Sequence, residues 1–178
     1  MSASLSNQKT VYTMTYFSSN LILCNFSIGL EVQTSEYKER AKGDKRRSIT
    51  KLGFKEIRES QRKVVEAYIS GRDVLMVAQT SSGKSLTFHI APFVLDFYKH
   101  GERDLVDTVC LVIFPLVSLM KDSLMSILPE KGVKAVVLGP ETSVTENEEA
   151  SEGKYNLVLT SPEALFGSHR STIESFRF

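Results

Sequence analysis

The 178 residues are 42% hydrophobic and carry a formal net charge of +1. A chain of this length buries roughly two-thirds of its unfolded surface, enough for one domain with its own core, and the near-neutral balance excludes a bulk polyelectrolyte binder. Cys24 and Cys110, the only cysteines, exclude a disulfide framework and a metal-binding spacing and suit a reducing compartment.

The first apolar stretch, Val11 to Leu30, is interrupted by Thr13, Thr15, Ser18, Ser19, Asn20, Asn25 and Ser27, and only Lys9 precedes it as a basic residue. That pattern fits neither a membrane span nor a signal peptide, and it reads as a poorly ordered or peripheral β-rich arm. The next segment, "SEYKERAKGDKRRSITK", holds Lys38, Arg40, Lys42, Lys45, Arg46, Arg47 and Lys51 among few apolar anchors, the composition of a solvated linker. The expected organisation is an N-terminal arm and basic linker over residues 1–48 and one domain over residues 49–178.

From residue 53 the pattern alternates. "GFKEIRESQRKVVEAYISG" puts Ile57, Val64, Val65 and Tyr68 on one helical face, with Gly71 as a stop. Gln61 falls on that same face. A buried amide needs partners, so Gln61 either bonds to backbone or reads the edge of a base with its donor and acceptor together. "DVLMVA" is an apolar run too short for a helix and reads as a strand buried on both sides. After it comes "AQTSSGKS", and then a helical pattern from Leu86 to Tyr98 that Pro92 should bend or shorten.

A loop between strand and helix aims successive N–H groups at an anion, and the helix start adds partial positive charge. In this one, Gly83 allows close approach, Lys84 reaches the terminal phosphates and the Ser85 hydroxyl is placed for Mg2+. The formal pattern has glycine where this chain has Ala78, and Ser81 stands where many such loops have glycine. If Ser81 needs positive φ, the loop carries some strain.

"TVCLVIF", "VKAVVLG" and "YNLVLTS" read as further strands, "LVSLMKDSLMSIL" as a helix, and a last helix opens near Pro162. "PETSVTENEEASEG" (Pro140 to Gly153) reads as a mobile loop. Apolar strands separated by helices predict an α/β fold, a parallel sheet flanked by helices with ligands beyond the carboxyl ends of the strands.

Four motifs then fall in one order. "LGFKEIRESQ" (Leu52 to Gln61), "AQTSSGKSLTF", "FPLVSLMKDS" (Phe114 to Ser123) and "LTSPEAL" (Leu159 to Leu165) together resemble the first RecA-like domain of a superfamily 2 DEAD/DEAH-type helicase, and within that superfamily the RecQ helicases. The resemblance spans roughly residues 50 to 175. It implies a RecA-like P-loop NTPase domain that uses ATP and Mg2+ and acts on single-stranded or duplex DNA. For the full enzyme it implies 3′-to-5′ strand separation, in the nucleus if the source is eukaryotic and otherwise in the cytoplasm.

Carried over by residue, the resemblance implies that Arg58 and Gln61 position adenine with Phe54 as a neighbour. Thr80, Ser81, Ser82, Gly83, Lys84 and Ser85 would hold the phosphates and metal, Lys84 being the catalytic cation. Pro115, Ser118 and Lys121 would lie near the nucleic-acid backbone, beside Thr160, Ser161, Pro162 and Glu163. The family's Asp-Glu-x-His motif, which holds Mg2+ and orients water, has no counterpart after any apolar run here. The nearest acids are Glu141 and Glu163, so the RecA-like domain reads as incomplete. Two other classes stand beside this reading: a non-catalytic nucleic-acid-binding fragment, and a P-loop small-molecule kinase.

Overall fold

A computed structural model describes residues 10–18, 21–25, 57–70, 72–79, 81–100, 108–126 and 133–176. Phe54 and Thr80 lie outside the described residues, as does Gly71. In chain order the elements are β1 (Thr10–Ser18), β2 (Leu21–Asn25), α1 (Glu59–Ile69), β3 (Val74–Val77), α2 (Ser85–His89), α3 (Ala91–His100), β4 (Thr108–Ile113), α4 (Val117–Ser126), β5 (Ala135–Leu138), α5 (Val144–Ser151), β6 (Leu157–Thr160), α6 (Pro162–Phe166) and α7 (Arg170–Glu174).

The six strands form one sheet in the order β3-β2-β1-β4-β6-β5. Strands β4, β6 and β5 pair in parallel, as the alternation predicts, and β1 joins them in parallel beside β4, which it does not predict. Strand β2 runs antiparallel to both its neighbours, and the two residues that separate it from β1 are too few for a crossover. The arm expected to be poorly ordered or peripheral thus contributes two strands to the interior of the sheet.

Alternation along β4 builds two cores. Cys110 and Val112 face one layer with Val64, Val65, Phe88, Val94, Leu95 and Met120, while Val109 and Leu111 face the other with Val136, Leu138, Val158, Ile173 and Phe176. Helices α1 to α4 therefore serve the first face, and α5 and α7 the second. Each fully buried Leu or Phe in these layers stabilises the fold by about 1.5–3 kcal/mol.

Three local expectations are resolved by packing. The helix over Leu86 to Tyr98 breaks at Ile90, and α3 restarts with Pro92 in its first turn, where a missing N–H is harmless. The segment read as a mobile loop contains helix α5. Ser143 Oγ accepts from the Glu146 N–H, and the Glu146 carboxylate accepts from the Ser143 N–H, so the S-x-x-E capping box starts a helix there. Strand β3, expected to be buried on both faces, buries Met76 but exposes Leu75 (56%) and Val77 (71%). It is the edge strand, and only one of its faces meets the helical layer.

Candidate nucleotide and nucleic-acid site

Strand β3 ends at Val77 and helix α2 begins at Ser85, so the phosphate loop has the strand–loop–helix setting its sequence predicts. Among the described residues of this loop, Ser81 at φ +63 and Gly83 at φ +79 take left-handed backbone. The cost foreseen for a non-glycine residue at Ser81 is therefore present, about 1 kcal/mol. A Cβ on Gly83 would sit 2.7 Å from Gln61 Nε2, so Gly83 is required both by its φ and by close packing.

Lys84 is 4% exposed, and its Nζ turns back to donate to the carbonyls of Ala78 (2.9 Å) and Gln79 (2.6 Å). Burial holds this ammonium below the usual lysine range. A cation seated on carbonyl dipoles is poised for exchange, since an anion entering the loop offers it a full negative charge instead.

Helix α1 grips the loop from behind. Gln61, 3% exposed, donates from Nε2 to Gly83 O at 2.8 Å and accepts at Oε1 from the Arg58 N–H at 2.8 Å. Arg58 Nη1 donates to Ser82 O at 2.7 Å. Both ends of the Gln61 amide are thus bonded to backbone. Arg58, Gln61, Ser82, Gly83 and Lys84 are brought together, with Gln61 and Arg58 engaged with the loop itself.

The second cluster lies where β4 and β6 end side by side, joined by the Phe114 N–H donating to Thr160 O at 2.8 Å. Pro115, Ser118 and Lys121 are exposed, as are Leu116 and Val117 between them. Thr160 and Ser161 are buried and use their hydroxyls within the fold. Thr160 donates to Leu138 O (3.1 Å), and Ser161 caps α6 by accepting from the Ala164 N–H (3.3 Å). Pro162 opens α6 and Glu163 stands exposed in its first turn. Hydrogen bonding, first of all from Ser161, lowers the Glu163 carboxyl below the usual range.

The DEAD/DEAH box helicase family model matches residues 58–178, more than half of the chain. The chain belongs to the DEAD/DEAH box helicases. It is 30% identical over 118 residues to the ATP-dependent DNA helicase RecQ of Pasteurella multocida (strain Pm70), which covers 64% of this chain and 17% of that relative. It is 31% identical over 116 residues to the ATP-dependent DNA helicase Q-like SIM of Arabidopsis thaliana, 65% of this chain and 12% of the relative. With the ATP-dependent helicase SGS1 of Saccharomyces cerevisiae it shares 29% over 117 residues, 64% and 8% of the two chains. The chain thus spans under a fifth of the length of these relatives.

In this helicase domain the sheet order decides what the two candidate acids can reach. Glu141 follows β5, five strand positions from β3, and Glu163 follows β6, four positions away. At about 4.8 Å per position these strand ends lie roughly 24 Å and 19 Å from the end of β3. Neither acid can hold a metal at the phosphate loop. Instead, Glu141 pairs with Lys121 at 2.7 Å on the exposed surface. That partnership has no local signal, because the two residues are 20 apart and meet only through the packing of α4 beside β5. For Mg2+, the described residues contain no group of three or more His, Cys, Asp or Glu placed to hold a metal ion. Ser85 offers one oxygen, and phosphate oxygens and water would have to complete the shell.

A contact that the motifs did not single out lies on the helix after the phosphate loop. His89 on α2 approaches Ser123 on α4 (Nε2 to Oγ, 3.4 Å), with the Phe88 ring edge-on at 4.6 Å. Burial lowers the His89 imidazole to about 4.

Proposed function

We propose that this chain is the ATP- and nucleic-acid-binding portion of a RecQ-like, ATP-dependent 3′-to-5′ DNA helicase. In it, residues 80–85 hold the triphosphate, Lys84 is the cation that meets the terminal phosphates, and Ser85 is the protein ligand to Mg2+. Arg58 and Gln61, with Phe54, form the adenine side. The exposed Pro115, Ser118 and Lys121 at the end of β4, with Pro162 and Glu163 at the end of β6, form the DNA side. Thr160 and Ser161 shape that side from beneath. A nuclear location would follow if the source is eukaryotic.

The observation that carries this reading is Lys84, buried and folded onto the carbonyls of its own loop, with no carboxylate bonded to it among the described residues. Binding of a fluorescent ATP analogue tests it. The chain should bind the analogue, and Lys84→Ala should weaken binding by roughly a hundredfold, in line with loss of a charge-assisted contact. Turnover should be undetectable in both, because Glu141 and Glu163 end strands remote from β3 and residues 10–25 contain no acid. Magnesium-dependent hydrolysis that Lys84→Ala abolishes would refute the second half of this prediction. The same remoteness favours, as the second reading, a module that binds nucleotide and nucleic acid without catalysis.

The Lys121–Glu141 pair gives a further expected result. Exposed pairs hold little energy, so Glu141→Gln should leave the fold intact. It should also free Lys121 for phosphate, raising single-stranded DNA affinity about two- to fivefold at low salt and steepening its salt dependence. Equal affinities for the two proteins across a salt series would remove Lys121 from the DNA side.

A further inference from the structure

The strand that launches the phosphate loop takes its strand partner from outside residues 58–178. All four residues of β3 pair with β2, as Val74↔Cys24, Leu75↔Leu23, Met76↔Ile22 and Val77↔Leu21. Strand β2 pairs with β1, and β1 pairs in parallel with β4 from Thr10↔Thr108 to Thr15↔Ile113. Because β3 is the edge strand, hairpin β1–β2 is, among the described residues, the strand ladder that connects β3 to the parallel strands. Side-chain packing gives β3 modest support, since Met76 is the one buried side chain among its four. A four-residue strand with one ladder and one buried side chain holds its position chiefly through that ladder.

We propose that hairpin β1–β2 is a working part of the nucleotide site, the positioning element that fixes β3 and therefore the backbone of residues 78–85. This rests on the nucleotide reading above. A phosphate loop binds through N–H groups whose directions are set by the strand behind it and the helix ahead of it. Here α2 is anchored in the core through Phe88, which is fully buried, so the strand behind is the end free to shift. The N-terminal segment would then be needed for nucleotide binding although it contributes no recognisable motif.

Two variants of the full chain test this. Residues 24 and 74 are Cα partners, at a separation that suits a disulfide, so Val74→Cys should cross-link to the native Cys24 under mild oxidation and keep its nucleotide affinity. Leu23→Pro puts a proline in a strand paired on both sides, removing a ladder hydrogen bond, and should weaken nucleotide binding by roughly tenfold or more. Its amide exchange should quicken at residues 74–77 but not at 109–112 or 157–160, and single-stranded DNA affinity should stay level. General destabilisation would move all of these together. Failure to cross-link, unchanged nucleotide affinity in Leu23→Pro, or uniform loss of protection would each overturn the proposal. If the Val74→Cys chain cross-links but the unaltered chain binds no nucleotide, the nucleotide reading has failed and the proposal falls with it, although the hairpin's position stands.

Discussion

Gly83→Ala should lose nucleotide binding and destabilise the domain by about 2–4 kcal/mol, the sum of left-handed backbone strain and displacement of a buried hydrogen bond. The added methyl would sit 2.7 Å from Gln61 Nε2, and that nitrogen donates to the carbonyl of Gly83 itself. Gln61 therefore cannot swing aside without abandoning its bond, and its Oε1 is held by the Arg58 N–H. The strain and the clash act on one peptide, so a second change should not restore the site unless it relieves both. Gln61→Ala alone opens the space for the methyl but leaves φ at +79 unfavourable. Chemical denaturation of the single and double variants, with nucleotide titration of each, measures the two parts. A Gly83→Ala protein of unchanged stability and affinity would mean that this loop is not held by α1.

Acidification should destabilise the domain through His89 by about 3 kcal/mol between pH 6.5 and about 4. The cause is burial, which lowers the imidazole from its ordinary 6.5 to about 4 in the folded chain. Over that window the unfolded chain binds a proton that the folded chain refuses, so falling pH favours unfolding. The contribution is complete above pH 6.5 and gone once the pH reaches the folded value. Denaturation midpoints at closely spaced pH values check this, with His89→Gln as the comparison. The variant should show a slope shallower by up to one proton across the window, about 1.4 kcal/mol per pH unit. Identical slopes would assign the acid sensitivity to other groups. The effect bears on function because His89 closes the helix that begins at Ser85 and meets Ser123 on α4.

The sequence determined by itself whatever local pattern and local chemistry fix. The runs ending at Val77, Ile113, Leu138 and Thr160 are strands because they are short, apolar and bounded by turn residues. The strand–loop–helix setting of Gly83, Lys84 and Ser85 was legible because a short apolar run, a glycine-bearing polar turn and a helical pattern follow one another there. Helix α5 carries its signal in the capping box of Ser143 and Glu146, but the acidic, polar composition of the segment masks it as a loop. Partnership across the sheet was not legible. Nothing local tells residues 10–25 to lie between β3 and β4, because strand pairing is a long-range choice settled by the summed burial and hydrogen bonding of all six strands. The same choice placed Glu141 against Lys121 and, with Glu163, far from the phosphates, left Leu75 and Val77 on an open face, and gave the buried amide of Gln61 a loop carbonyl as its partner.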